Sequence, residues 1–168
     1  MDVSELLLDL FGRVAEHVRE AVSDLGPDAL HRAPAEDTNS IGWLVWHLTR
    51  VEDHHVSELL GEEQIWMRDG WPERFGLTAE PDNTGYGHSP AEVDAVRPDG
   101  PDAALGYYTA VNDRTRTYLQ GLGPGDLDRI VDERWDPPVT LGVRLISIAD
   151  DQIQHSGQAS YVKGLPGH

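Results

Sequence analysis

The sequence contains no cysteine, and this absence limits the chemistry that the chain can perform by itself. A chain without cysteine forms no disulfide, offers no thiolate ligand to a metal and has no thiol nucleophile. Any thiol that reacts at this protein must therefore be supplied by another molecule.

Positive charge and long apolar runs are also scarce. Thirteen Lys and Arg residues stand against thirty Asp and Glu, so the formal net charge is −17 at pH 7. A chain this acidic repels phosphate backbones and anionic lipids, and we expect neither a nucleic-acid partner nor a membrane partner. No stretch reaches the roughly 20 apolar residues that span a bilayer, and the acidic start MDVSELLLDLFG lacks the basic region of a secretory signal. We therefore expect a cytoplasmic protein.

Hydrophobic periodicity predicts an all-α protein with four long helices. Asp2, Ser40 and Thr140 can cap the first, second and fourth of them. The helices are expected over residues 3–24, 40–60, 101–120 and 140–164. A chain of 168 residues is long enough for one compact core, so we expect a single-domain four-helix bundle. The stripe expected to be buried on the first helix consists of Leu6, Leu7, Leu10, Val14, Val18, Ala21 and Val22.

The connection between the second and third helices is unusually long, about residues 61–100. It is rich in Gly, Pro and Asp, and it also carries Trp66, Trp71 and Phe75, which predicts that it packs against the bundle. Tyr86 and His88 lie in this connection. They either form an exposed loop tip, which is the commoner case, or reach an active site.

Three polar residues interrupt the apolar faces of two helices. His47 lies beside the stripe of the second helix, where a core would ordinarily place an aliphatic residue. Asp151 and His155 are four residues apart, so they share one face of the fourth helix. Two histidines and one carboxylate are a common ligand set for a divalent metal with open coordination positions.

Three segments resemble a known family, the DinB-like four-helix bundles that include the mycothiol-dependent maleylpyruvate isomerases. They are SIGWLVWHL with the following VED, QIWMRDGWPERFG, and the D-x-x-x-H-x-G-Q pattern from Asp151 to Gln158. The family commonly has a histidine on its second helix and H-x-x-x-H on its fourth, and the isomerase branch has a carboxylate in place of the first of that pair. Asp151 is similar to this variant, shortened by one methylene. The resemblance implies a metal held by His47, Asp151 and His155.

Each of these residues also has a simpler interpretation. A lone buried histidine is often satisfied by a carbonyl or carboxylate, and a pair four residues apart can be a helix-surface hydrogen bond. Three further residues are candidates for the surroundings of the site. Gln158 could donate to a ligand, Trp46 could form a pocket wall, and His54, two turns beyond His47, is too distant to share its metal.

The function expected from this resemblance is a metal-dependent transferase or isomerase that uses mycothiol or a similar low-molecular-weight thiol as co-substrate and acts on a small molecule. Zinc is the favoured ion, with nickel, iron or manganese as alternatives. The sequence leaves three other functions open: a hydrolase with metal-activated water, a non-catalytic or stress-associated bundle that merely binds metal, and a vestigial site. A homodimer through an outer helix face is also expected.

Overall fold

Four long helices dominate the computed structural model, which describes residues 1–166. They are α1 (Val3–Val22), α3 (Ile41–Leu60), α7 (Pro101–Gln120) and α8 (Leu141–Lys163). The four helices confirm the all-α prediction, and their boundaries lie within about two residues of the expected ones. The shorter elements are α2 (Pro27–His31), α4 (Ile65–Arg68), α5 (Trp71–Arg74), α6 (Pro90–Ala95), a 3₁₀ helix (Pro124–Asp128), and the strands β1 (Ile130–Asp132) and β2 (Val139–Thr140), which pair antiparallel.

Local capping explains where the long helices begin and end. The Asp2 carboxylate accepts from the Glu5 backbone while the Glu5 carboxylate accepts from the Asp2 backbone, which completes a capping box at α1. The Ser40 hydroxyl accepts from the Trp43 backbone at α3. Gly61 ends α3 in the left-handed conformation, at a φ of 66°, which a side chain would disfavour.

In the bundle, α3 packs against α7 and α8, and α1 packs against the same two helices on the opposite side. The stripe predicted for α1 is wrong at Leu6, which is 56% exposed, while Phe11 is 1% exposed. Helical geometry explains the correction, because Leu7, Phe11, Val14 and Val18 follow spacings of three and four, whereas Leu6 is turned about 100° away from Leu7. No helix within residues 1–166 is long and apolar enough to cross a membrane.

The long connection packs as its aromatic residues predicted. Trp66 and Phe75 are fully buried, and their rings lie against Tyr107 of α7. The main polar anchor is Asp53 of α3, which is itself fully buried. Its carboxylate accepts from the backbone N–H groups of Ile65 and Trp66 at 3.0 and 2.8 Å. The first turn of α4 is therefore held by a side chain of another helix.

Two arginines and a tyrosine complete the surroundings of this carboxylate. Tyr107 donates to Asp53 at 2.8 Å, Arg114 of α7 makes a short ion pair with it, and the Arg50 guanidinium lies 3.5 Å away. A buried carboxylate and a buried guanidinium are tolerated only because each has partners. Asp53 thus joins α3, α4 and α7.

We predict that Asp53→Ala destabilises the protein by about 3–5 kcal/mol, because it leaves two arginines without their carboxylate partner and two backbone amides without their acceptor. Urea unfolding monitored by circular dichroism measures the effect. Asp99→Ala is the matched control, because Asp99 also forms a two-pronged pair with an arginine, Arg74, but at the exposed surface. A loss of stability no larger than that of Asp99→Ala would show that the Asp53 network is not an anchor.

Glu52 is the second buried carboxyl group on α3. It is fully buried, and neither carboxyl oxygen has a hydrogen-bond partner of normal geometry among the described residues. Burial is the main cause that raises the pKa of Glu52 to about 8, and the Asp53 charge adds to it against the opposing effect of Thr115, Arg114 and Asn112. Glu52 is therefore protonated in the folded protein at neutral pH.

We predict that Glu52→Gln removes a pH-dependent loss of stability. In the unfolded chain the Glu52 carboxyl ionises near its ordinary pKa of 4.5, whereas the folded protein retains the proton up to about pH 8. The Glu52 carboxyl group therefore makes its full contribution to the free energy of unfolding below pH 4.5. This contribution decreases as the pH rises to 8, by up to about 1.4 kcal/mol per pH unit. Relative to the parent, Glu52→Gln should gain stability across this window in urea titrations. Glu36→Gln, an exposed change, is the control, and parallel curves for Glu52→Gln and the parent would contradict the assignment.

Candidate metal site

The structure brings His47, Asp151 and His155 together between α3 and α8. One donor atom from each lies within 4.8 Å of the other two. The distances from Asp151 Oδ2 are 3.6 Å to His47 Nε2 and 3.5 Å to His155 Nε2. Packing of α3 against α8 creates this arrangement, because His47 and the pair on α8 are about a hundred residues apart in the sequence.

Both imidazole rings are oriented by an acceptor at Nδ1. The His47 Nδ1–H donates to the backbone carbonyl of Thr84 at 2.5 Å, and the His155 Nδ1–H donates to Gln158 Oε1 at 2.8 Å. A carbonyl oxygen only accepts, so each neutral ring carries its proton on Nδ1 and leaves the Nε2 lone pair free. Such an outer acceptor is typical of metal-binding histidines, and both Nε2 atoms face Asp151.

The donor set fits a divalent cation. Asp151 Oδ1 is buried and has no hydrogen-bond partner among residues 1–166. The two Asp151–histidine distances exceed those of good charge-assisted hydrogen bonds, so the three groups converge without satisfying one another. Two imidazole nitrogens and one carboxylate oxygen suit zinc and also other first-row divalent metals.

The ionisation of Asp151 is compatible with a role as a metal ligand. Burial alone would raise the pKa of Asp151, but the polar contacts with His155 and His47 outweigh it and hold this pKa below the usual value. Burial alone would lower the pKa of His155, but Asp151 and Gln158 outweigh it and raise this pKa. Asp151 is thus an anion at neutral pH, as a metal ligand must be.

A segment of the long connection forms one wall of the site. Trp43 stacks on the His47 ring, with centroids 4.7 Å apart and planes inclined by 11°. Gly85 lies so close that an added Cβ would be 2.8 Å from Trp46 and 2.9 Å from His47 Nδ1. Trp46 is fully buried beneath this segment. Position 85 therefore requires glycine, because a side chain would clash with Trp46 and His47 and because the φ of this residue is 92°.

The structure places Tyr86 and His88 in different environments, which the sequence had left undecided. Tyr86 is 94% exposed, as expected for a loop tip. His88 faces inward, where its Nδ1 accepts from Trp43 Nε1 at 3.2 Å and its Nε2 donates to Asn83 Oδ1 at 2.8 Å. His31, which could be taken for a surface histidine, is only partly exposed and pairs with Asp94 at 3.1 Å.

A cavity of about 370 Å³ opens onto His47 and Asp151. The connection between α3 and α7 forms part of its wall. Val51 is the only aliphatic residue among the lining residues, which are His47, Val51, His54, His55, Asp82, Thr84, Tyr86, Ser147 and Asp151. His54 therefore lies in the cavity wall rather than among the converging ligands, and its Nδ1 is 3.2 Å from Gln64 Nε2.

A second group of potential donors, His54, His55 and Glu58, is less suited to a cation. The Arg144 guanidinium lies 3.3 Å from His55 Nδ1, and that of Arg134 lies 3.4 Å from Glu58. Burial, followed by the charge of Arg144, lowers the pKa of His55 to about 4. Two guanidinium groups beside these donors would repel a metal ion.

Sequence reasoning missed Asn83 and Thr84. Thr84 acts through its backbone carbonyl, which every residue type supplies, so its identity carries no information. The Asn83-Thr84-Gly85 stretch is typical of a turn, but a turn in sequence does not reveal which side chain it contacts.

Comparisons with known proteins bear on the family and the fold of this chain. The family model described as mycothiol-S-transferase matches residues 6–165. A crystal structure described as the conserved protein of locus from Enterococcus faecalis shares 31% sequence identity and superposes with a TM-score of 0.88, over 97% of this chain and 96% of that chain. Comparison with curated proteins finds no match. Because the family model spans nearly the whole chain, this protein belongs to the mycothiol-S-transferase family of the DinB-like superfamily.

Proposed function

We propose that this protein is a metal-dependent S-transferase in which His47, Asp151 and His155 hold a divalent cation, zinc by preference, and mycothiol or a related low-molecular-weight thiol is the co-substrate. The observation that carries the proposal is the convergence of two pre-oriented Nε2 atoms on a carboxylate with a buried oxygen that has no hydrogen-bond partner among residues 1–166. Membership of the family supports the thiol.

The open side of the site supports catalysis over a purely structural role. Three protein donors leave part of a tetrahedral shell to other ligands, and the cavity reaches two of the three donors. A structural clamp would instead be expected to supply four protein ligands. A cavity of this size next to the donors can admit a small molecule.

Residues of the chain would orient the metal ligands, balance the charge of the cation and exclude water. A bound divalent cation would supply a Lewis acid that keeps a coordinated thiol deprotonated at neutral pH. Thr84 and Gln158 hold the His47 and His155 rings in the tautomer that leaves Nε2 free. The negative charge of Asp151 partly balances a cation, and Trp43 covers one face of His47 and excludes water from it. Because the chain has no cysteine, the co-substrate contributes the sulfur nucleophile.

The same three donors are compatible with other divalent ions and with another type of reaction. Nickel, iron or manganese could occupy the same donor set, since imidazole and carboxylate bind all of them. A hydrolase with metal-activated water would use the same three residues. The homodimer expected from the sequence stays a prediction.

We predict that protein purified without an affinity tag contains about one divalent ion per chain and that chelation lowers its melting temperature. Metal bound at a hundredfold excess over its dissociation constant stabilises the native state by about 2.7 kcal/mol. His47→Ala should remove most of this response to added metal in scanning fluorimetry and in elemental analysis. His54→Ala, a change in the cavity wall, should keep it. Equal metal content in His47→Ala and the parent would exclude the assigned ligands.

We predict that the metal-loaded protein joins mycothiol, through its sulfur, to an electrophile such as 1-chloro-2,4-dinitrobenzene. In this reaction a carbon–sulfur bond forms, the carbon–chlorine bond breaks, chloride leaves and the thiol proton passes to solvent. The rate, followed by the absorbance of the thioether, should fall to background in His155→Ala and should depend on added thiol. If mycothiol and other cysteine-containing small thiols give no rate above background while an ester is hydrolysed with the same metal dependence, the hydrolase would replace the transferase.

A further inference from the structure

Arg50 of α3 is completely buried, yet it is not used only to balance charge. Its Nη2 donates to the backbone carbonyl of Pro81 at 2.9 Å, and its Nε donates to that of Asn83 at 3.1 Å. Its Nη1 donates to the Tyr107 hydroxyl at 3.3 Å, and the guanidinium lies 5.1 Å from the centre of the Trp66 ring. One side chain therefore fixes two carbonyls of the long connection from inside the bundle.

The peptide that Arg50 holds is next to the one that orients His47. Asn83 is followed by Thr84, whose carbonyl accepts from His47 Nδ1. The Asn83 side chain shapes the same turn, because its Oδ1 accepts from the Gly85 backbone at 3.2 Å and from His88 Nε2 at 2.8 Å. Arg50 lies on α3 three residues after His47, so one helix carries both the ring and the group that positions its acceptor.

We infer that Arg50 is a positioning residue of the metal site, which fixes the turn at residues 83–85 so that the Thr84 carbonyl holds the His47 ring with Nε2 toward Asp151 and His155. The planar guanidinium is suited to this role, because it donates in several fixed directions at once, whereas a lysine ammonium cannot reproduce the same fork. The inference extends the proposed function, since it names the residue that organises one of its ligands.

A purely structural role for Arg50 would give a different result. Loss of a buried arginine lowers stability wherever it lies, but only loss of a positioning residue changes the tautomer of His47. The two nitrogens of a neutral imidazole have different ¹⁵N chemical shifts, which report directly which one carries the proton. This measurement needs no bound metal, so it remains informative even if the protein binds none.

The first test compares Arg50→Lys with the parent by ¹H–¹⁵N correlation spectra of the metal-free full chain, recorded well above the ordinary histidine pKa of about 6.5. In the parent, His47 should carry its proton on Nδ1. In Arg50→Lys the Nε2–H tautomer should become substantially populated, and metal affinity should fall by about 10–100-fold, as expected when an outer hydrogen bond to a ligand is lost. An unchanged His47 tautomer in a folded Arg50→Lys protein would overturn the inference.

Arg116→Lys is the matched control for this test. Arg116 of α7 also donates from a partly buried guanidinium to a backbone carbonyl, that of Leu8, but it joins α7 to α1 rather than to the site. It should lower stability without changing the His47 spectrum. A change of the His47 tautomer in Arg116→Lys as large as in Arg50→Lys would show a general loosening of the bundle and would also overturn the inference.

A pair of glycine variants tests the same turn without touching the arginine, which keeps the inference testable if Arg50→Lys does not fold. Gly85 and Gly87 both have positive φ values, 92° and 75°, so alanine strains the backbone at each. Only at Gly85 would the added Cβ meet His47, since among residues 1–166 no atom lies within 4 Å of the one at Gly87. Gly85→Ala should alter the His47 tautomer and weaken metal binding, while Gly87→Ala should do neither. Identical His47 spectra for the two variants would contradict the role of the turn.

The two readouts separate this inference from the proposed function. If the parent binds no zinc, nickel, iron or manganese but Arg50→Lys still changes the His47 tautomer, the metal site is wrong and the positioning role stands. If the parent binds metal and neither Arg50→Lys nor Gly85→Ala changes its affinity or the His47 tautomer, the positioning role is wrong and the metal site stands.

Discussion

The burial of charged side chains on α3 is the constraint on which the rest of this structure depends. Asp53 and Arg50 have no exposed surface, and each is stable there because it has several polar partners, which include backbone groups of the connection between α3 and α7. Asp53 accepts from the first turn of α4, and Arg50 donates to the carbonyls near residues 81–83. A connection of some forty residues is thereby attached to the helix that carries His47.

This attachment links the stability of the fold to the geometry of the site. The turn at residues 83–85 packs on His47 because the chain on either side of it is held, and Trp43 and Trp46 leave no room for a side chain at Gly85. A histidine that binds a metal needs a fixed ring orientation. The helices within the connection are short, so the connection by itself cannot hold the carbonyl that orients the His47 ring. The buried charges of Asp53 and Arg50 therefore influence the proposed metal site indirectly, because they hold the backbone that contacts His47.

The proposed thiol chemistry is compatible with a strongly acidic chain that has no cysteine. The net charge of −17 favours a cation over an anion near the protein, and the carboxylate of Asp151 is kept ionised by two histidines. With no cysteine of its own, the protein offers no competing thiolate at the proposed metal site. In the proposed reaction, a small external thiol would reach the donors through the cavity that the connection partly encloses.

The sequence by itself determined the helices and the candidate ligand types. Periodicity and caps such as Ser40 and Gly61 are local properties, so the long helices could be predicted to within about two residues. The i, i+4 spacing of Asp151 and His155 likewise places both on one face of a helix. Leu6 shows the limit of such reasoning, because an apolar residue at the margin of a stripe can face either way.

Only the tertiary structure decided what surrounds those ligands. The approach of Asp151 to His47 depends on how α8 packs against α3, and the acceptor of His47 is a backbone carbonyl in an irregular segment. Arg50 looks in the sequence like a polar residue on a helix surface, and its burial follows from a connection that folds back over it. Contacts made through backbone atoms leave no trace in residue type, so this part of the site could not be predicted before the fold was known.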